Sequence, residues 1–170
     1  MKKILSLLII ALVLIVTGCG NTGNNNTSNG KANESTDVEV KVDDLIVKLN
    51  FTGSFNALTF KYPSEAQTMN VGTYYMMDYL NNGDFIVRVA MYRFENKPLE
   101  KAMEGSSATY RGTETINGIQ WHVYDGKTQN GEKMVNYAYR YNSDTYTITF
   151  IFNKDLNNFM EVFMKELKFS

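Results

Sequence analysis

The chain has a single cysteine, a single histidine, a single tryptophan and only two prolines among its 170 residues. One cysteine allows no internal disulfide, so a folded domain here must be held by its apolar core alone. One histidine and one cysteine cannot build a zinc site of the usual His/Cys type. An excess of either charge is also lacking, since 17 basic and 18 acidic residues leave a net charge of −1. That balance offers no electrostatic footprint for nucleic acid or for anionic lipid headgroups. No acidic loop has calcium-site spacing, and there is neither a phosphate-cradling glycine loop nor a Gly-x-Ser-x-Gly elbow. Gly105-Ser106-Ser107 reads as a helix terminus instead. These gaps predict no metal, no cofactor and no nucleic-acid partner.

Long apolar runs are missing as well. The run Ile4 to Val16 is apolar except for Ser6. As a helix it rises about 20 Å at about 1.5 Å per residue, short of a hydrocarbon core of about 30 Å. Met1-Lys2-Lys3 precedes it, and the small residues Thr17 and Gly18 follow it. That order of charge, apolar run and small residues is the order of a signal peptide.

Val16-Thr17-Gly18-Cys19 then resembles the bacterial lipobox. The resemblance implies cleavage between Gly18 and Cys19, diacylglycerol on the Cys19 thiol and Cys19 as the mature N-terminus. An ordinary signal peptide, or a short membrane anchor, with an incidental cysteine is the competing reading. Against it, the chain's only cysteine stands at the one position the motif uses. Two or more acyl chains, at about 0.8 kcal/mol per buried CH₂, anchor stably. The expected address is the extracytoplasmic face of the cell membrane, reached through a lipid anchor. The abundance of Asn, Lys, Tyr and Ile leans toward an AT-rich, Gram-positive source. Loss of Lys2 and Lys3 takes the net charge to −3.

Three segments follow from composition: residues 1–18 as signal peptide, 19–37 as lipidated cysteine and tether, and 38–170 as one domain. The tether is a run of Asn, Gly, Thr and Ser with nothing apolar larger than Ala32. Such a stretch cannot bury enough surface to order itself, and it spans roughly 20–25 Å root-mean-square.

From Val38 onward, period-two segments rich in β-branched and aromatic residues dominate. Val38 to Val42 and Leu45 to Phe51 are weaker candidates, and Ala57 to Tyr62 alternates until Pro63 stops it. Asn81-Asn82-Gly83, Asn117-Gly118 and Asn142-Ser143-Asp144 each separate two such segments. Asn and Gly accept the positive φ of tight turns, so three hairpins and an antiparallel sheet are predicted. Pro98 to Ser106 reads as a helix stopped by Gly105. Leu156, Phe159, Met160, Phe163, Met164 and Leu167 form a helical apolar stripe, with Asp155 as the expected N-cap and Lys168-Phe169-Ser170 returning as a short edge segment. The expected class is α+β, a central antiparallel sheet flanked by helices.

Leu58-Thr59-Phe60-Lys61-Tyr62-Pro63, the long segment Asp84 to Phe94, the Pro98 helix, Asn117-Gly118-Ile119-Gln120-Trp121 and the ending Glu166-Leu167-Lys168-Phe169 occur in that order. Over residues 55–170 this run resembles the PsbP-like fold. The resemblance implies an α/β/α sandwich serving binding or assembly, with no shared catalytic residues to carry over.

Chemistry-bearing residues are sparse. His122 shares a strand face with Gln120 and Tyr124 and has no nucleophile or acid beside it in a local motif. Asp84, Glu114 and Glu132 are scattered carboxylates that sequence cannot pair. The aromatics are more informative. Tyr137, Tyr139 and Tyr141 share one face of a strand, and Trp121 lies on a strand nearby. Amphipathic rings suit a wet groove or partner surface, so these four form the candidate binding surface, with a core rim as the simpler reading. Thr145, Thr147 and Thr149 form a face typical of exposure to water. The methionines, Met69 among them, are expected to fill gaps in the core. The expected function is therefore a non-enzymatic lipoprotein that binds a protein or envelope ligand. An envelope enzyme with a site assembled from separate strands, or an accessory subunit of a membrane complex, is the alternative.

Overall fold

The computed structural model describes residues 37–152 and 156–170, all within one compact unit. The signal segment, the Gly18–Cys19 junction, the tether up to residue 36 and the expected cap Asp155 lie outside the described residues.

Turn chemistry sets the plan. β1 (Val38–Val42) and β2 (Leu45–Leu49) pair across Asp43, whose φ is 51°. β3 (Phe51–Phe55) and β4 (Leu58–Tyr62) pair across Asn56, with a φ of 52°. β5 (Gln67–Asn70) pairs with β6 (Tyr74–Asn81), which turns at Asn82-Gly83 into β7 (Asp84–Phe94). After α1 (Leu99–Ala102), β8 (Thr109–Ile116) and β9 (Ile119–Lys127) meet at Asn117-Gly118. β10 (Lys133–Tyr141) and β11 (Asp144–Phe152) meet at Asn142-Ser143. α2 (Asn157–Glu166) and β12 (Lys168–Phe169) follow. Asn82, Asn117 and Asn142 all have φ between 52° and 56°, the left-handed region that Asn tolerates best after Gly.

Seven strands form one antiparallel sheet in the order β5-β6-β7-β11-β10-β9-β8. Two meanders, β5–β7 and β8–β11, are thus joined edge to edge where β7 pairs with β11. A second layer lies on one face of this sheet. It contains α2, the β1–β2 hairpin and a small sheet ordered β12-β4-β3. Phe163 of α2 sits 5.5 Å from the Phe150 ring below it and 5.8 Å from Phe60 of β4 beside it. Phe60 in turn meets Tyr75 of the large sheet edge-on at 5.1 Å. Gly53 of β3 lets this cluster close, because a Cβ there would lie 2.8 Å from the Phe60 ring. All six residues of the predicted stripe on α2 are buried.

The expected α+β sandwich is not the architecture. Of the described residues 61% are strand and 11% helix, and no helical layer flanks each face. The protein is mostly β, and the α/β/α sandwich implied by the PsbP-like resemblance falls with that class. The helix expected over Pro98–Ser106 is a single turn, Leu99–Ala102, since Met103 ends it and Gly105 turns the chain with a φ of 80°. So short a run cannot repay the cost of helix nucleation by itself. The segment Leu45 to Phe51 is split at Asn50 into two strands of different sheets, and β5 adds a strand where no alternating pattern predicts one.

The sheet's far face also differs from expectation. Thr145 and Thr147 are buried there, and the Thr145 hydroxyl donates to the Lys97 carbonyl at 2.7 Å. The segment carrying Leu99 covers the middle of this face, so the alternation of Thr with apolar residues marked two covered faces. Met69, by contrast, is exposed rather than in the core.

Candidate binding groove

The predicted surface of Trp121, Tyr137, Tyr139 and Tyr141 divides into two places. Trp121 is 1% exposed and belongs to the core. Tyr139 and Tyr141 are half-buried and hold the chain's own Phe169, stacked on Tyr141 at 4.5 Å, tilted against Tyr139 at 5.3 Å and stacked on Trp121 at 6.0 Å. Tyr146 closes the ring of contacts edge-on at 5.4 Å. The greater part of the proposed aromatic surface is therefore a cage already filled by β12. A cleft of about 410 Å³ remains beside it, lined partly by Ile119, Tyr139 and Lys168.

Tyr137 points elsewhere. Its ring is buried, but its hydroxyl reaches the floor of a larger cleft of about 560 Å³ between β8 and α2. Asn157, Met160, Glu161 and Lys165 form the helix wall, at the i, i+3, i+4 and i+8 positions of one helix face. Arg111, Glu114, Thr115, Ile116 and Asn117 form the strand wall. The hairpin turn locks the two walls together, because the Asn117 side-chain amide donates to the Lys165 carbonyl at 2.6 Å. Asn117 thus serves both the left-handed turn and the free carbonyls at the helix end.

The charges in the groove are paired on the protein. Arg111 bridges two carboxylates, bonding Glu114 through one guanidinium nitrogen and Asp125 through the other at 3.0 Å. Glu114 spends its second oxygen on the Tyr137 hydroxyl, which donates to it at 3.2 Å. Lys165 pairs with Glu161 at 2.6 Å along the helix. Burial first, and the Glu114 carboxylate second, push the Tyr137 hydroxyl up to about 12. At neutral pH this phenol is a fixed hydrogen-bond donor and has no tendency to act as a base.

The other candidates are dispersed. His122 lies on the far face with Tyr110, ring centroids 5.9 Å apart. Glu132 bonds Thr128 at 3.0 Å ahead of β10, and Asp84 closes the β6–β7 turn. Among the described residues no three His, Cys, Asp or Glu side chains come close enough to hold a metal ion. A separate latch joins Arg93 to Asp144 at 2.7 Å and to Asn56 at 3.2 Å, tying the β3–β4 turn to β7 and β11. The backbone N–H of Asn96 and the Arg93 guanidinium hold the Asp144 carboxyl below the usual range.

No family model matches the chain, and no curated protein matches it either. Among solved structures it is similar to a crystal structure from Bacteroides thetaiotaomicron VPI-5482, with a TM-score of 0.48 and 11% sequence identity. The match covers 71% of this chain and 47% of that one, so the chain spans about half the length of that protein.

Proposed function

We propose that this protein is a lipid-anchored, extracytoplasmic binding protein that takes its ligand in the groove between β8 and α2. The observation that carries the reading is the groove itself. It is open, within the size range of ligand sites, walled by a strand and a helix, and floored by a phenol that stays un-ionised at neutral pH. Its two carboxylates, Glu114 and Glu161, and the Tyr137 phenol are each committed to a partner, which suits recognition better than proton transfer. The address rests on the lipobox-like Val16-Thr17-Gly18-Cys19.

Two experiments test the proposal. A photo-crosslinking residue placed at Glu161 in intact cells should capture an envelope component, while the same probe at Lys48 on the exposed β1–β2 hairpin should not. Equal yields from both positions, or none from Glu161, would refute the groove. For the anchor, Cys19→Ser should move the protein from the membrane fraction to the medium. A variant that stays membrane-bound would count against lipid as the sole tether.

A further inference from the structure

We infer that the groove's ligand is an extended polypeptide segment, which adds to β8 as an eighth strand of the large sheet. The inference rests on the groove being the ligand site and goes on to name the ligand's class.

β8 ends the strand order, and among the described residues it has a ladder partner on one side only. Which of its backbone groups are free follows from the register. Ile116 faces Ile119 across the two-residue turn, so this is the closing hydrogen-bonded pair, and Glu114 with Trp121 is the next. Thr113 and Thr115 lie between these pairs and direct their N–H and C=O groups away from β9, along the open edge. The outer row of β8 is thus a strand template.

Both ends of the template are defined. The register shifts at Arg111, where the ladder passes from Tyr110 to Gly112 with a Gly112 φ of 141°, and this bulge stops regular pairing. At the other end the Asn117 bond to Lys165 closes the groove against α2. The usable edge is Gly112–Ile116, about 17 Å at about 3.4 Å per residue. The free edge of β5 lacks this setting, since its four residues are all exposed and no helix stands over them.

The wall then says what can bind. Arg111, Glu114, Glu161 and Lys165 are paired among themselves and with Asp125, so no unpaired charge among these four selects a charged ligand. A main chain needs none of them, because its own N–H and C=O groups meet those of Thr113 and Thr115. Side chains of an added strand alternate, and those on the Glu114 and Ile116 side face α2. The position beside Ile116 meets Met160, so an apolar residue fits there. A groove between an edge strand and a helix, with main-chain bonds for affinity and side-chain pockets for choice, is the general means of recognising extended peptides.

The test selects phage-displayed random dodecapeptides on the full chain carrying Cys19→Ser in mild detergent. The selected peptides should protect the Thr113 and Thr115 amides from hydrogen exchange. Thr115→Pro removes an outward N–H that β9 does not use, a position where edge strands accept proline. It should weaken peptide binding at least tenfold while leaving the emission of the single tryptophan unchanged. Thr115→Val keeps the amide and should bind like the unaltered chain. Failure to select any peptide, equal binding by Thr115→Pro, or equal loss in Thr115→Val would overturn strand addition. Crosslinking from Glu161 that persists in Thr115→Pro would overturn it too, yet leave the groove as a ligand site. Loss of crosslinking from Glu161 in the unaltered chain would remove both.

Discussion

Tyr137, Tyr139 and Tyr141 sit on one face of one strand, yet they serve opposite ends. Tyr139 and Tyr141 close a cage on Phe169, where rings pack against rings and little polar surface remains. Tyr137, one strand repeat away, passes its hydroxyl into a groove whose walls are largely polar and paired. The cage is a piece of the core that happens to be aromatic. The groove is an open site with few aromatic side chains. Aromatic density by itself reports burial, and a site is better sought where a strand edge, a helix end and a buried polar tip converge.

The comparison is most easily broken at the cage. Trp121→Ala removes a fully buried ring touching Tyr137, Tyr139 and Phe169, and should cost about 3–5 kcal/mol of stability, read as a lower midpoint in urea. A cost below about 1 kcal/mol would mean that the cage is not part of the core. Phe169→Ala empties the cage from the β12 side. Because Phe169 is only half-buried, about 2 kcal/mol is expected. The Trp121 emission should shift to the red as water reaches it. No spectral change would separate Phe169 from the tryptophan.

Alkaline titration probes the groove's phenol beside a core tyrosine. Tyr137 and Tyr75 are both pushed up to about 12, mainly by burial. The unfolded chain ionises each near its ordinary value of about 10. Their contribution is therefore complete below pH 10 and is lost as pH rises toward 12. At pH 11 each should have lost about 1.4 kcal/mol. Tyr137→Phe and Tyr75→Phe should each flatten the fall between pH 8 and pH 11, and an unchanged slope would contradict the burial of those hydroxyls. Asp144 has the opposite sign. Its carboxyl is held low by Asn96 and Arg93, so its contribution is present above the usual carboxylate range and is lost as pH falls through its folded value. Asp144→Asn should remove that part of the acid sensitivity.

Much of the fold was legible because it depends on local chemistry. Asn82-Gly83 and Asn117-Gly118 mark hairpins through the φ that their turns demand, and the stripe on α2 is periodic enough to read directly. The failures were non-local. The Thr145, Thr147 and Thr149 alternation looks the same whether the Thr face meets water or the segment bearing Leu99. Six good helix formers after Pro98, Leu99 to Glu104, say nothing about where tertiary contacts stop supporting a helix. Of the groove, Tyr137 was singled out and Glu114 noted only as a loose carboxylate. Arg111, Thr115, Asn117, Met160 and Lys165 were missed, because strand order decides which strand is an edge and pairing preferences do not encode that order. Two signals were available: Asn157, Glu161 and Lys165 repeat every four residues on the polar side of α2, and Arg111-Gly112 interrupts an otherwise regular alternation.

The smallest stability effect is expected in the groove, and it sharpens the contrast most. Arg111→Ala breaks the pairs with Glu114 and Asp125, but all three side chains are more than two-fifths exposed. Solvent screens such pairs, so stability should change by no more than about 1 kcal/mol. Ligand capture should respond more strongly, because Arg111 stands at the bulge that ends the template and its loss leaves that end of β8 unpinned. A large loss of stability in Arg111→Ala would make the ion-pair bridge part of the core, like the cage. Unchanged crosslinking from Glu161 in the same variant would show that the charged end of β8 takes no part in recognition.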